Sequence, residues 1–412
     1  MKYRQLISLG LLALLLTACR SHNDEPRVAR QTVLVYMAGD NNLDSFVMDD
    51  VNEMMAARRN LPDDCDLILF IDKVGPLPCF MKVTKGDTVR METCKEEMRT
   101  SSSSTLRMAM QWVMTNAKAR QYGLVLWGHA DGWMIKNNAA GSRPRQAYGQ
   151  DRENDTSATG TWMNITDMAR VLESLPAPEG HTKLLRFIFA DCCCFQSVES
   201  DYELRNAADY IIASAAEIPG VGAPYTTVIP ALFSTGDDFC NLAVDAYFAQ
   251  VARGYREPMS VVKTSEMDNL AQATHTVLSQ SLPPLSAGHP QVDSLIYYYD
   301  HTLFDMNDFI LHHATADDYA QWKQAFNKAV PYSTFTEVWM ANFVPYLDEY
   351  NIIPQQFRDF DATADRYGGV SMFVPQDPNS VRYYYRTILS LQNSTINQMQ
   401  WYEAAGLKEL GW

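Results

Sequence analysis

Two residues in this chain could together carry covalent acyl transfer, Cys193 and His129. A thiolate nucleophile needs an imidazole to take its proton and backbone N–H donors to hold the oxyanion that forms on attack. Cys193 follows an apolar run, Leu184 to Phe189, and precedes a helical segment beginning near Gln196. A helix start offers free N–H groups and a dipole that lowers a thiol pKa. His129 follows a second apolar run, Tyr122 to Trp127. On pattern alone, a hydrogen-bonded turn histidine and small apolar packing for Cys192, Cys193 and Cys194 remain the plainer alternatives.

The surrounding elements decide whether the two side chains can meet. Apolar runs at 32–37, 66–72, 122–127, 184–189 and 210–214 read as buried strands. Between them lie helical patterns, at about 43–59 and, capped by Ser101 to Ser104, through Leu106, Met110 and Val113. Such alternation predicts an α/β fold, a mostly parallel sheet with helices on both faces and functional loops at the carboxyl ends of its strands. Consecutive strands are usually neighbours, so His129 and Cys193 are expected at adjoining strand ends. Gly86-Asp87 predicts a hairpin turn that would set Cys79 opposite Cys94 and allow a cross-strand disulfide. Cys65 and Cys240 read as buried thiols. Residues 134–161 form a long polar loop, and beyond residue 265 the alternation fades into helices near 266–280 and 316–330 and one strand near 369–375.

The segments VLVYMAGDNNL, LVLWGHADGW and FADCCCFQSVESDYELRNAADYIIASAAEIPGVGAPY resemble, in that order, the clostripain-type cysteine peptidases. The resemblance spans about residues 32–230 and is fainter at GGVSMFVP. It implies a caspase-like fold, with a peptidase domain over 32–265 and a C-terminal α+β accessory region over 266–412. It also implies an endopeptidase with Cys193 as nucleophile and His129 as acid–base partner, and an oxyanion held by the N–H groups of Ala130 and Cys193. Asp191 matches the acid associated with Arg or Lys at P1. Self-cleavage in the 134–161 loop is implied as well, with Arg143 and Arg145 as candidate sites. Two departures stand out: Ala130 replaces a usual glycine, and Ala215, Ala216, Glu217 and Gly222 to Tyr225 depart from the pattern beside the S1 region. This chemistry calls for no metal or organic cofactor, and no calcium-loop pattern marks the calcium dependence some relatives have.

The N-terminus sets the expected location. Lys2 and Arg4, an apolar stretch from Leu6 to Leu16, and Leu16-Thr17-Ala18 before Cys19 have the layout of a lipoprotein signal peptide over 1–18, with Cys19 as lipid acceptor and 19–31 as tether. The stretch is too short to span a bilayer. Removing Lys2 and Arg4 takes the formal charge from −15 to −17, which excludes general attraction to nucleic acid or anionic lipid. The chain is therefore expected as an exported monomer of the bacterial cell envelope, acting on peptide or protein substrates and touching a membrane through its lipid alone. A catalytically silent envelope lipoprotein that binds peptide or glycan is the alternative.

Overall fold

The computed structural model describes residues 27–135, 147–155, 160–249, 257–299, 302–334, 338–340, 357–359, 363–380 and 383–412. Its frame is laid down by β1 (Ala29–Gly39), α1 (Asp44–Arg58), β2 (Cys65–Lys73), the hairpin β3 (Cys79–Val83) and β4 (Thr88–Thr93), α2 (Ser103–Asn116) and β5 (Ala119–Trp127). A small antiparallel pair follows, β6 (Tyr148–Asp151) and β7 (Thr161–Met163), then α3 (Ile165–Glu173), β8 (Leu185–Asp191), α4 (Val198–Glu203) and β9 (Ala208–Ala213). Next come α5 (Tyr225–Leu232), α6 (Phe239–Phe248), β10 (Ser260–Lys263), α7 (Met267–Ser281), β11 (Tyr297–Tyr299), β12 (Leu303–Asp305), α8 (Met306–His313), α9 (Ala316–Ala329) and β13 (Tyr332–Ser333). The C-terminal part adds β14 (Val338–Met340), β15 (Phe357–Asp359), β16 (Ser371–Met372), α10 (Tyr383–Thr395) and α11 (Gln400–Ala404).

One nine-stranded sheet runs β13-β10-β9-β8-β5-β1-β2-β3-β4. Its five central strands are parallel and its margins antiparallel. Side chains alternate across the pleat with a period of two. On one face Val33, Val35, Met37, Val125, Phe187 and Phe189 pack under α1, α5 and α6. On the other, Leu34, Tyr36, Leu124, Leu126, Ile188 and Ala190 pack against α2, α3, α4, α7 and the C-terminal elements, in one core reaching Trp412. Strands buried on both sides have to be continuously apolar, which is why these runs are legible.

The expected strands and helices are present with small shifts in their ends, and Ser102 caps α2 by accepting from Ser104 N–H. The anticipated strand near 369–375 shortens to β16. Cys79 and Cys94 are free thiols, because the hairpin register, shifted between Phe80 and Met81, sets Cys79 opposite Thr93. Cys65 and Cys240 are buried and free.

Candidate active site

The parallel pairing of β5 with β8 sets Trp127 beside Asp191. Two residues further along each strand come His129 and Cys193, so both leave the same edge of the sheet from equivalent register positions. Gly128, between Trp127 and His129, has φ +146°, and a Cβ there would meet the Ala38 carbonyl oxygen at 3.0 Å and the Ala38 Cβ at 3.2 Å. Glycine thus lets the end of β5 cross closely over β1, and Gly128 N–H reaches back to the Asp191 carbonyl at 3.4 Å.

The imidazole is anchored by a residue that sequence reasoning gave no role. His129 Nε2 lies 2.9 Å from Asn42 Oδ1 in the loop after β1. With that oxygen accepting, the proton sits on Nε2 and Nδ1 keeps the lone pair of a base. Burial, and then repulsion from Arg152, lower its pKa to about 4, so the ring is neutral at pH 7. The Cys193 thiol donates to the Ile218 carbonyl at 3.7 Å and receives Ile218 N–H at 3.4 Å. Burial and the Glu217 carboxylate push its pKa up, against the pull of Ile218 N–H. In this single chain both partners rest neutral, as thiol and imidazole. The signal that could have pointed to Asn42 was Asn41-Asn42 directly after a buried strand.

The turn that carries the thiol is tightly held. Cys194 has φ +53°, a left-handed conformation that costs a non-glycine residue about 1–2 kcal/mol. It persists because Cys194 N–H donates to Ala216 C=O at 2.9 Å and Gln196 N–H to Ser214 C=O at 3.0 Å. Ala130 forms a bridge to Tyr148 closed by Gly149 N–H to His129 C=O at 2.8 Å. That pattern leaves the N–H groups of Ala130 and Cys193 without acceptors among the described residues. Ala130 is not among the residues with positive φ, so its Cβ imposes no strain where relatives use glycine.

Asp191 is buried, accepting from Ala223 N–H at 2.9 Å and Tyr225 Oη at 2.7 Å. Burial raises its pKa to about 6, against the pull of those donors. Asp50 of α1, which accepts from Trp127 Nε1, sits at about 8 through burial and then repulsion from Asp191. Neither carboxylate forms an ion pair with Lys or Arg among the described residues. Gly222, with φ +63°, packs between them, since a Cβ there would lie 2.7 Å from Asp191 Oδ2 and 3.4 Å from Asp50 Oδ2. The departing segment 215–224 therefore does border Asp191. Sequence reasoning did not single out Asp50. Cys19, Arg143 and Arg145 lie outside the described residues.

The sheet order, with a cysteine and a histidine at adjoining carboxyl ends of central parallel strands, defines the class: a caspase-like cysteine peptidase. The sequence pattern of the clostripain family matches residues 35–408, and this chain belongs to that family. It is similar in structure to a secreted C11 cysteine protease from Bacteroides thetaiotaomicron solved with an irreversible peptide inhibitor. The two are 26% identical with a TM-score of 0.72, over 92% of this chain and 100% of that one. It is also similar to an inactive zymogen C11 protease from Parabacteroides distasonis, at 25% identity and a TM-score of 0.69, over 92% of this chain and 99% of that one. A second secreted C11 protease from Bacteroides thetaiotaomicron, 18% identical with a TM-score of 0.70, shares the fold. No curated protein matches the chain.

Proposed function

We propose that this peptidase is an exported, lipid-anchored endopeptidase in which Cys193 attacks and His129 moves the protons. His129 Nδ1 takes the Sγ proton, and the thiolate attacks the scissile carbonyl carbon. The N–H groups of Ala130 and Cys193 hold the oxyanion. Collapse expels the amine, protonated by His129, and leaves a thioester on Cys193. Water, deprotonated by His129, then hydrolyses the thioester and frees the acid. The observation that supports this reading is the shared register by which β5 and β8 send the chain at His129 and at Cys193 off one edge of the sheet, with the Ala130 and Cys193 N–H groups uncommitted among the described residues.

Asp191, with Asp50 behind it, favours Arg or Lys at P1. Two buried carboxyls with no cation partner gain a counter-charge when a guanidinium or ammonium enters, and the gain is large where solvent is excluded. The neutral resting dyad suits a single chain that gains full activity on cleavage within 134–161, for which Arg143 and Arg145 remain the candidate sites. Anchoring through Cys19 rests on the sequence of residues 1–19, and export agrees with the secreted relatives. Residues 32–265 form the peptidase unit in this reading, and 266–412 support it.

The test is turnover of fluorogenic peptides ending in Arg, Lys, Ala, Leu or Asp by mature protein beside Cys193→Ala. Cleavage after Arg and Lys, lost by about 10⁴-fold or more in the variant, is expected. Cleavage confined to other residues would remove Asp191 from specificity. Turnover surviving in Cys193→Ala would remove Cys193 as nucleophile.

A further inference from the structure

We infer that Trp162 is a positioning residue for His129, its indole forming a wall that keeps the imidazole on Asn42 and shields it from water. The inference rests on the peptidase reading, which gives His129 its role. Among the described residues that ring has a single side-chain hydrogen bond, Nε2 to Asn42 Oδ1 at 2.9 Å. One bond fixes one atom and leaves the plane of the ring free to tilt, so a second contact is needed to keep a base in line with its thiol. Trp162 supplies it. The two rings stand 6.3 Å apart, centre to centre, with their planes at 43°, within the range at which aromatic rings pack.

The indole is fixed from several sides. Trp162 lies in β7, which pairs with β6 so that Tyr148 faces Met163 and Asp151 faces Thr161. The β6 strand is tied to the end of β5 by the Ala130–Tyr148 bridge, by Gly149 N–H to His129 C=O at 2.8 Å and by Tyr148 Oη to Trp127 C=O at 3.1 Å. It is tied to β1 and the loop after it by Tyr148 Oη to Tyr36 C=O at 2.9 Å and Asn41 Nδ2 to Gln150 C=O at 2.8 Å. Thr161 Oγ1 also lies 2.6 Å from Ser101 Oγ. The β6–β7 hairpin thus hangs from both stretches that flank the imidazole, the one that carries His129 and the one that carries Asn42.

Trp162 is 8% exposed, and its Nε1–H is buried with no acceptor. A buried donor left unmet costs about 1–3 kcal/mol, so the position uses the bulk of the ring and not its hydrogen bond. Phenylalanine should therefore serve there and alanine should not. Burial is the first cause that lowers the His129 pKa, and the charge of Arg152, which follows β6, is the second. Both the wall and the charge come from the same hairpin. Without the indole, water reaches the imidazole and the charged form becomes less unfavourable.

The test reads the imidazole itself and needs no turnover. Mature protein carrying ¹³C-labelled histidine is titrated by NMR, with the His129 signal identified by its absence from His129→Ala. In the unaltered protein and in Trp162→Phe the ring should stay neutral down to about pH 5, while in Trp162→Ala its midpoint should rise by about one pH unit or more. Should Trp162→Ala fail to fold, as its melting curve would show, Trp162→Leu takes its place. In parallel, kcat/KM for a peptide ending in Lys should fall about tenfold or more in the same variant, through kcat, and recover in Trp162→Phe. A midpoint unmoved by the loss of the ring would overturn the inference, and so would an equal rise in Trp162→Phe. Absence of turnover in the unaltered protein would instead remove the peptidase reading, with the titration still deciding whether Trp162 holds His129.

Discussion

Asp50 and Asp191 share a space with no cation beside them, and that has a consequence for pH. Their carboxyls titrate near 8 and 6 in the folded protein against 3.8 for the ordinary group. The folded chain therefore keeps protons that the unfolded chain releases near pH 4. Stability is fully present at the acid end and is lost as pH rises from about 4 to about 8. Asp50→Asn removes the larger part of that loss while keeping an oxygen for Trp127 Nε1. Its melting temperature should exceed that of the unaltered protein by a margin that grows from pH 5 to pH 8. Equal values at both pH values would mean that Asp50 is ionised without penalty. His129 works in the opposite sense: held near 4, it contributes stability above pH 6.5 that is lost as pH falls toward 4.

At the scale of elements, the active edge depends on turns rather than on the strands that precede them. Gly222 has φ +63° and stands where a Cβ would press on Asp191 Oδ2 at 2.7 Å. Gly222→Ala should cost about 1–2 kcal/mol of stability from its backbone alone. It should also raise KM for Arg and Lys substrates more than for neutral ones, and a uniform loss across substrates would separate Gly222 from P1 selection. The strands and their burial were legible because runs such as Val33 to Met37 and Phe187 to Phe189 are apolar at every position. The pairing of β5 with β8, which sends the chain at His129 and at Cys193 off the same edge of the sheet, followed from consecutive buried strands being neighbours, the small β6–β7 pair lying outside this sheet. Asn42, Ile218 and Asp50 were not legible. Each acts through a partner remote in sequence, which residue type and spacing do not encode. The hairpin register failed for a local reason, since a one-residue slip moves every partner along.

The molecule as a whole ties its C-terminal elements to the turn and helix that follow Cys193. Ser371 N–H donates to Gln196 C=O at 3.1 Å, and Phe373 N–H to Glu199 Oε1 at 2.7 Å. Gln400 Nε2 reaches Glu203 at 2.8 Å, and Trp401, fully buried, meets Tyr202 edge-on at 5.5 Å between ring centres. Residues beyond 363 thus brace α4, the helix that follows Cys193. Trp401→Ala should cost about 3–5 kcal/mol. It should lower the temperature of a single unfolding transition read by both circular dichroism and loss of activity. Two separated transitions, with activity surviving the first, would show that the C-terminal part folds apart from the active edge.

The central claim is that Cys193, served by His129, is the reactive thiol among three consecutive cysteines, and the most direct test is to find where an irreversible peptide-derived electrophile attaches. Mature protein would be labelled with a probe bearing lysine at P1, digested and mapped by mass spectrometry beside His129→Ala. The account predicts one adduct per chain, on Cys193, formed far more slowly in the variant. An adduct on Cys192 or Cys194, or labelling of Cys193 at the same rate without His129, would contradict it.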